Sequence, residues 1–117
     1  MYRLRSLALV VLLLTTLSAC ATQPVSTDGA VVIDVRTAQE FAQGHLEGAV
    51  NLDLQSGAFE TEVAQLPTDG TYLSYCRSGN RSGQAVRIMA DLGFTTVTDL
   101  GAIQNAATAT GLPIVTG

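Results

Sequence analysis

The chain has 117 residues, six cationic side chains, all arginine, against ten acids, and a formal net charge of −4. That length suits one core and one domain. The acidic balance excludes a surface built to hold nucleic acid or anionic lipid by charge. Two cysteines and one histidine exclude a closed zinc site, and no metal or cofactor is expected.

Residues 1–19 read as an exported leader rather than part of the fold. Arg3 and Arg5 precede the apolar run from Leu7 to Leu14, and small residues follow up to Cys20, the order of a secretory signal. As a helix, Leu7 to Leu17 would span about 16 Å, roughly half a bilayer's hydrocarbon core, so a membrane-crossing helix is the poorer reading. Leu17-Ser18-Ala19-Cys20 resembles the lipobox of bacterial lipoproteins. The resemblance implies cleavage before Cys20 and acylation of its sulfur and new amino group. Ordinary cleavage near Ala19 or Ala21, with Cys20 a free thiol, is the alternative. Acyl chains contribute about 0.8 kcal/mol per buried methylene, so several would anchor the protein firmly. Ala21 stands where an aspartate favours inner-membrane retention in enterobacterial lipoproteins, so a periplasmic face of the outer membrane is expected where the organism has one. Loss of residues 1–19 leaves 98 residues with four arginines against ten acids, a net charge of −6. With Cys20 acylated, Cys76 has no partner in the chain. A lone thiol in an oxidising compartment is a liability unless it has a use.

Residues 20–29 are polar and broken by Pro24 and Gly29, a tether reaching at most about 30 Å. The domain is expected over 30–117. Ala30 to Val35 is apolar and β-branched, which predicts a strand buried on both faces of a parallel sheet. Thr37 and Glu40 fit a capping box for a helix from Ala38 to Gln43, stopped by Gly44. A short strand is expected around Val50. The segment from Ser56 to Leu66 predicts a helix with Phe59, Val63 and Leu66 on one face, then a turn at 67–70. Thr71 to Tyr75 predicts a strand ending at Cys76. A helix from about Ser82 carries the stripe Ala85, Val86, Met89, Leu92 and ends at Gly93. Thr95 to Leu100 predicts a strand, Ala102 to Thr110 a weak helix, and Leu112 to Val115 a last strand or an extended tail. Strands alternating with helices give an α/β domain with a parallel sheet of about four to five short strands flanked by helices.

Cys76 thus falls at the carboxyl end of a strand, where open α/β sheets bind ligands. Gly79 in the following turn admits left-handed backbone, and Asn80 tolerates it better than most residues. Such a turn aims successive amide N–H groups inward, a nest for an anion. The next helix adds its positive end, and Arg77 and Arg81 add full charges. Each feature favours thiolate, so Cys76 is expected to have a depressed pKa and to act as a nucleophile without a base. The other reading is a buried cysteine behind an ordinary loop, whose Gly, Asn and Ser serve the turn alone.

Over nearly all of residues 28–117 the sequence resembles the rhodanese-like family. The matching stretches are VVIDVRTAQEF (Val31 to Phe41), GHLEGAVNL (Gly44 to Leu52) and YCRSGNRSGQA (Tyr75 to Ala85). The last is similar to the family's C-x-x-G-x-R-S loop, with Cys76, Gly79, Arg81 and Ser82 in register. Length and leader resemble the small single-domain periplasmic sulfurtransferases. The resemblance implies a double displacement. Cys76 attacks the outer sulfur of thiosulfate and releases sulfite, and cyanide or a thiol (a small thiol or a redox protein) takes the persulfide sulfur. It implies Cys76 as the catalytic residue and Arg77, Ser78, Gly79, Asn80, Arg81 and Ser82 as the substrate-binding loop. Arg77 and Arg81 would attract the dianionic donor, and Arg81 would also brace the loop. Four residues separate Cys76 from Arg81, one fewer than in related cysteine phosphatases and arsenate reductases, which favours transfer of sulfur. A module that carries or senses sulfur without turnover is the other alternative.

The sequence departs from the family near its C-terminus. Ala102 follows Gly101 where a second glycine is common, Ala106 stands where a tryptophan would, and the chain has no tryptophan. Packing beside the pocket is expected to differ. His45 is read as a turn residue, Asp34 and Arg36 as an ion pair or hydrogen-bonded pair at the pocket rim. Tyr75 is read as packing beside the loop, and Glu60 and Glu62 as a solvated helix face.

Overall fold

In a computed structural model that describes residues 24–117, the apolar run after Gly29 forms β1 (Ala30–Asp34). The leader and Cys20 lie outside the described residues. Helix α1 (Ala38–Gln43) follows, started by the expected capping box: Thr37 Oγ1 accepts the Glu40 N–H at 3.2 Å, and Glu40 Oε1 accepts the Thr37 N–H at 3.4 Å. Two short strands come next, β2 (His45–Leu46) and β3 (Val50–Asn51), then α2 (Phe59–Val63). The chain continues through β4 (Thr71–Cys76), α3 (Asn80–Asp91), β5 (Thr96–Ala102), α4 (Ile103–Thr110) and β6 (Ile114–Val115).

Four strands form a parallel sheet in the order β3-β1-β4-β5. β4 lies at its centre and is buried from Tyr72 to Cys76. Successive side chains of a strand point to opposite faces. Tyr72 and Cys76 therefore join the core beneath α2 and α3, with Ile33, Val35, Phe59, Val63, Ala85 and Met89. Leu73 and Tyr75 join the opposite core, with Val32, Leu46, Leu100 and Ala106 of α4.

Three elements differ from expectation. β2 and β6 pair antiparallel as a separate ribbon, His45 opposite Val115 and Leu46 opposite Ile114. The C-terminal segment is thus the strand of the two forms expected for it, while the turn expected at His45 is a strand instead. Helix α2 ends at Val63, short of Leu66. Gly57 (φ +83°) blocks an earlier start, and Pro67 disfavours helix at Leu66, which closes instead on Val63 with a tighter turn bond of 3.0 Å. On α3 the buried stripe is Ser82, Ala85 and Met89, while Leu92 at its C-cap is 40% exposed. Phe94 folds back in its place and meets Tyr72 edge-on.

The sheet's carboxyl edge gathers the loops that matter. Asp34 pairs with Tyr75, so the chain leaves β1 beside the end of β4. Between β4 and β5 the register shifts after Ser74: Ser74 faces Asp99, but Tyr75 faces Gly101. This irregularity brings Ala102, and with it the start of α4, alongside Cys76.

Candidate active site

Gly79 decides the shape of the turn after Cys76. Its φ of +99° is left-handed, a conformation that strains any residue with a Cβ. There its N–H donates to Cys76 Sγ at 2.9 Å. Its carbonyl accepts the Gly83 N–H at 3.2 Å and the Ser82 hydroxyl at 3.1 Å. The helix therefore starts at Asn80, two residues earlier than expected, and Arg81 lies in its first turn.

Cys76 is fully buried, and its Sγ lies 3.5 Å from the hydroxyl of buried Ser82. Burial pushes the thiol's pKa up. The Ser82 hydroxyl and the amide N–H groups of Ser82, Gly79 and Ser78 pull it down, and the pull wins, so the thiol ionises more readily than usual. The arrangement is a nest of main-chain donors around one sulfur.

The loop residues divide by what they face. Ser78, Gly79 and Ser82 turn amides toward the sulfur. Asn80 is exposed and helical, and its Oδ1 accepts from Gln84 Nε2 at 3.4 Å. Between Cys76 and Ser82 only Gly79 has a left-handed φ, so the turn does not draw on Asn80's tolerance of it. Arg81 turns to α1, where its two Nη atoms donate to the Glu40 carboxylate at 2.7 and 2.9 Å. That guanidinium, with the Thr37 N–H and hydroxyl, holds the Glu40 carboxyl down to about 2. Arg77 is exposed and lines an open cleft of about 330 Å³ with Arg36, Glu40, Gln43, Gly44 and Ile103.

Behind the cleft Arg36 and Asp34 form a buried pair. Nε donates to both Asp34 oxygens at 3.0 and 3.1 Å, and Nη2 donates to Oδ2 at 2.7 Å and to the Gly44 carbonyl at 2.6 Å. The Arg36 guanidinium lies 5.7 Å from the centre of the buried Tyr75 ring, a cation–π distance. Tyr75 in turn accepts the Leu46 N–H at 3.0 Å. His45 Nδ1 donates to the Phe41 carbonyl at 2.8 Å and its ring stacks on Phe41, which makes it a brace for the turn at Gly44. Glu60 and Glu62 are exposed.

Four cleft residues were not singled out from sequence as site residues: Glu40, Gln43, Gly44 and Ile103. Glu40 carried a visible signal, but only as the capping residue of α1. Its partner Arg81 is 41 positions away. Ile103 is brought in by the shifted register of β5, which has no sequence signature.

Comparison with known proteins agrees with this geometry. A model of the rhodanese-like domain matches residues 19–105. The thiosulfate sulfurtransferase PspE of Escherichia coli is 33% identical over 75 residues, 64% of this chain and 72% of that protein. A sulfurtransferase of Allochromatium vinosum is 34% identical over 89 residues, 76% of this chain and 81% of its own. A solved structure described as rhodanese with anions, from E. coli, superposes with a TM-score of 0.63 at 31% identity, covering 75% of this chain and 99% of its own.

Proposed function

This chain belongs to the rhodanese-like family as a sulfurtransferase, and on that premise we propose that it moves sulfane sulfur from a thiosulfate-like donor to a thiol through a persulfide on Cys76. The observation that carries the reading is the convergence of the loop amides and the Ser82 hydroxyl on one sulfur. The names of the relatives support thiosulfate as the donor. In the first half-reaction the Cys76 thiolate attacks the outer sulfur of thiosulfate. A new S–S bond forms, the donor's S–S bond breaks, and sulfite leaves with its electron pair. The negative charge stays on the Cys76-bound sulfur, where the same N–H donors stabilise it. Cys76 has no exposed surface, so the added sulfur is the atom that an acceptor meets. Arg77 carries the attraction for the dianionic donor, because Arg81 is engaged by Glu40.

The phosphatase alternative is not favoured. The matched relatives are sulfurtransferases, and the loop holds four residues between Cys76 and Arg81. The lipobox-like Leu17–Cys20 supports a lipid anchor at Cys20 and a place on the periplasmic face of the cell envelope. Mass spectrometry of the domain tests the chemistry. After thiosulfate, the wild type is expected to gain one sulfur atom and to lose it to cyanide, while Cys76→Ser does neither. A wild type that gains no sulfur overturns the reading.

A further inference from the structure

The charges around the cleft leave one cation over. The two ion pairs among the described residues engage Arg36 with Asp34 and Arg81 with Glu40. Arg77, next to Cys76 in sequence, lines the same cleft outside both pairs. Its surroundings are a chain whose other charges sum to an excess of acid. Gln43, exposed at the end of α1, adds an amide to the same lining, Gly44 forms part of the wall, and Ile103 adds an apolar patch. At about 330 Å³ the cleft holds a molecule of roughly ten water volumes, and it is concave rather than a flat protein-docking face.

We propose that this cleft seats the sulfur acceptor, and that the acceptor is a small thiol carrying a carboxylate, which pairs with Arg77 and hydrogen-bonds to Gln43. The inference rests on the persulfide reading above. The acceptor's thiolate attacks the outer sulfur of the Cys76 persulfide. An S–S bond forms to the acceptor, the bond between the two enzyme-held sulfurs breaks, and its electron pair returns to Cys76 as thiolate. The outer sulfur, an anion after loading, takes a proton from solvent before the attack, and the acceptor leaves as a hydropersulfide with that hydrogen. No outside oxidant or reductant enters. A carboxylate suits the site because a guanidinium outside both ion pairs attracts an anion, barely affects a neutral group and repels an ammonium.

Single-turnover discharge tests this. The full domain is loaded with sulfur, freed of donor, and mixed with 3-mercaptopropionate, 2-mercaptoethanol or cysteamine, with rates expressed per thiolate. The expected order is anionic, neutral, cationic, the first exceeding the second roughly tenfold, the scale of one charge-assisted contact partly open to water. In Arg77→Gln that ratio is expected to fall toward one. Gln43→Glu, which sets a negative charge in the cleft lining, is expected to slow the anionic thiol selectively. Equal rates for the three thiols, or an order unchanged in Arg77→Gln, overturn the inference while leaving the persulfide standing. Failure of the wild type to load sulfur removes the persulfide reading and this inference with it.

Discussion

Ser82 has one hydroxyl hydrogen and two acceptors for it. Its Oγ lies 3.1 Å from the Gly79 carbonyl and 3.5 Å from Cys76 Sγ. While Cys76 is a thiol, the sulfur donates to Ser82 and Ser82 donates to Gly79. When Cys76 ionises, the hydroxyl can turn to the sulfur and stabilise the charge, which lowers the thiol's pKa. A lowered pKa means that the thiolate, and the rate, are gained as pH rises through a value below the ordinary thiol range near ~8.5. Ser82→Ala removes the hydroxyl and leaves the amides. Its acid limb should move toward higher pH. Each unit of movement leaves about tenfold less thiolate at pH values below the limb. The pH dependence of Cys76 alkylation by iodoacetamide, followed beside that of sulfur transfer, measures both limbs. Coincident limbs in wild type and variant would assign the ionisation to the amides alone.

Between elements, Glu40 joins α1 to α3. One carboxylate closes the capping box with Thr37 and also receives both Nη atoms of Arg81. A single side chain thus fixes the start of one helix and the first turn of another, the turn that carries the sulfur nest. The side chains of the pair are 19% and 24% exposed. A bidentate pair of this kind is worth on the order of 1 kcal/mol. The Glu40 pKa of about 2 is depressed from the usual carboxylate value. Its contribution to stability is therefore complete above roughly 4.3 and fades as pH falls toward 2. Glu40→Gln should be less stable than wild type at neutral pH, with the gap in urea midpoint closing over that acid window. A gap independent of pH would mean that the carboxylate charge contributes nothing. The same elements mark how far the sequence could be read. The strand at Ala30, the capping box at Thr37 and the strand into Cys76 were legible because each is encoded locally, by a β-branched run or a fixed spacing. The strand at His45 was not, since two residues carry no period, and the antiparallel pairing that makes β6 a strand rather than a tail has no local signature. The start of α3 was misplaced because Gly79 itself serves as N-cap rather than a serine. Leu92 fitted the helical stripe by spacing, but the helix ends before it can turn that side chain inward. The division of labour between Arg77 and Arg81 depends on Glu40, remote in sequence, and no local pattern announces it.

For the molecule as a whole, a parallel sheet places every strand's carboxyl end at one edge and every amino end at the other. Cys76 and the cleft occupy the first edge. The first described residues lie toward the second. Val25, within the stretch read as a tether, donates its N–H to the Ala109 carbonyl at 2.8 Å and packs against the core on the α4 side. Helix α4 starts at the cleft with Ile103 and runs back along the sheet to Thr110, about 12 Å at 1.5 Å per residue. β4 itself is about 20 Å long. From Cys20 to Val25 the chain reaches at most about 18 Å. An acylated Cys20 would therefore hold the domain by the edge opposite its sulfur, with the Cys76 loop turned away from the bilayer toward soluble donors and acceptors. Removing the anchor should then change where the protein is and not what it does. Cys20→Ala, expressed in a bacterium that processes lipoproteins, should leave the membrane fraction and transfer sulfur from thiosulfate to a soluble thiol at the wild-type rate. A variant that stays with the membrane would discard the anchor. One that is released but slow would mean that the bilayer helps form the site, against the geometry of Val25 and α4. A lipid headgroup thiol offered in the same vesicle as the anchored wild type gives the complementary measurement: a short headgroup should discharge the persulfide poorly, and the same thiol free in solution should discharge it well.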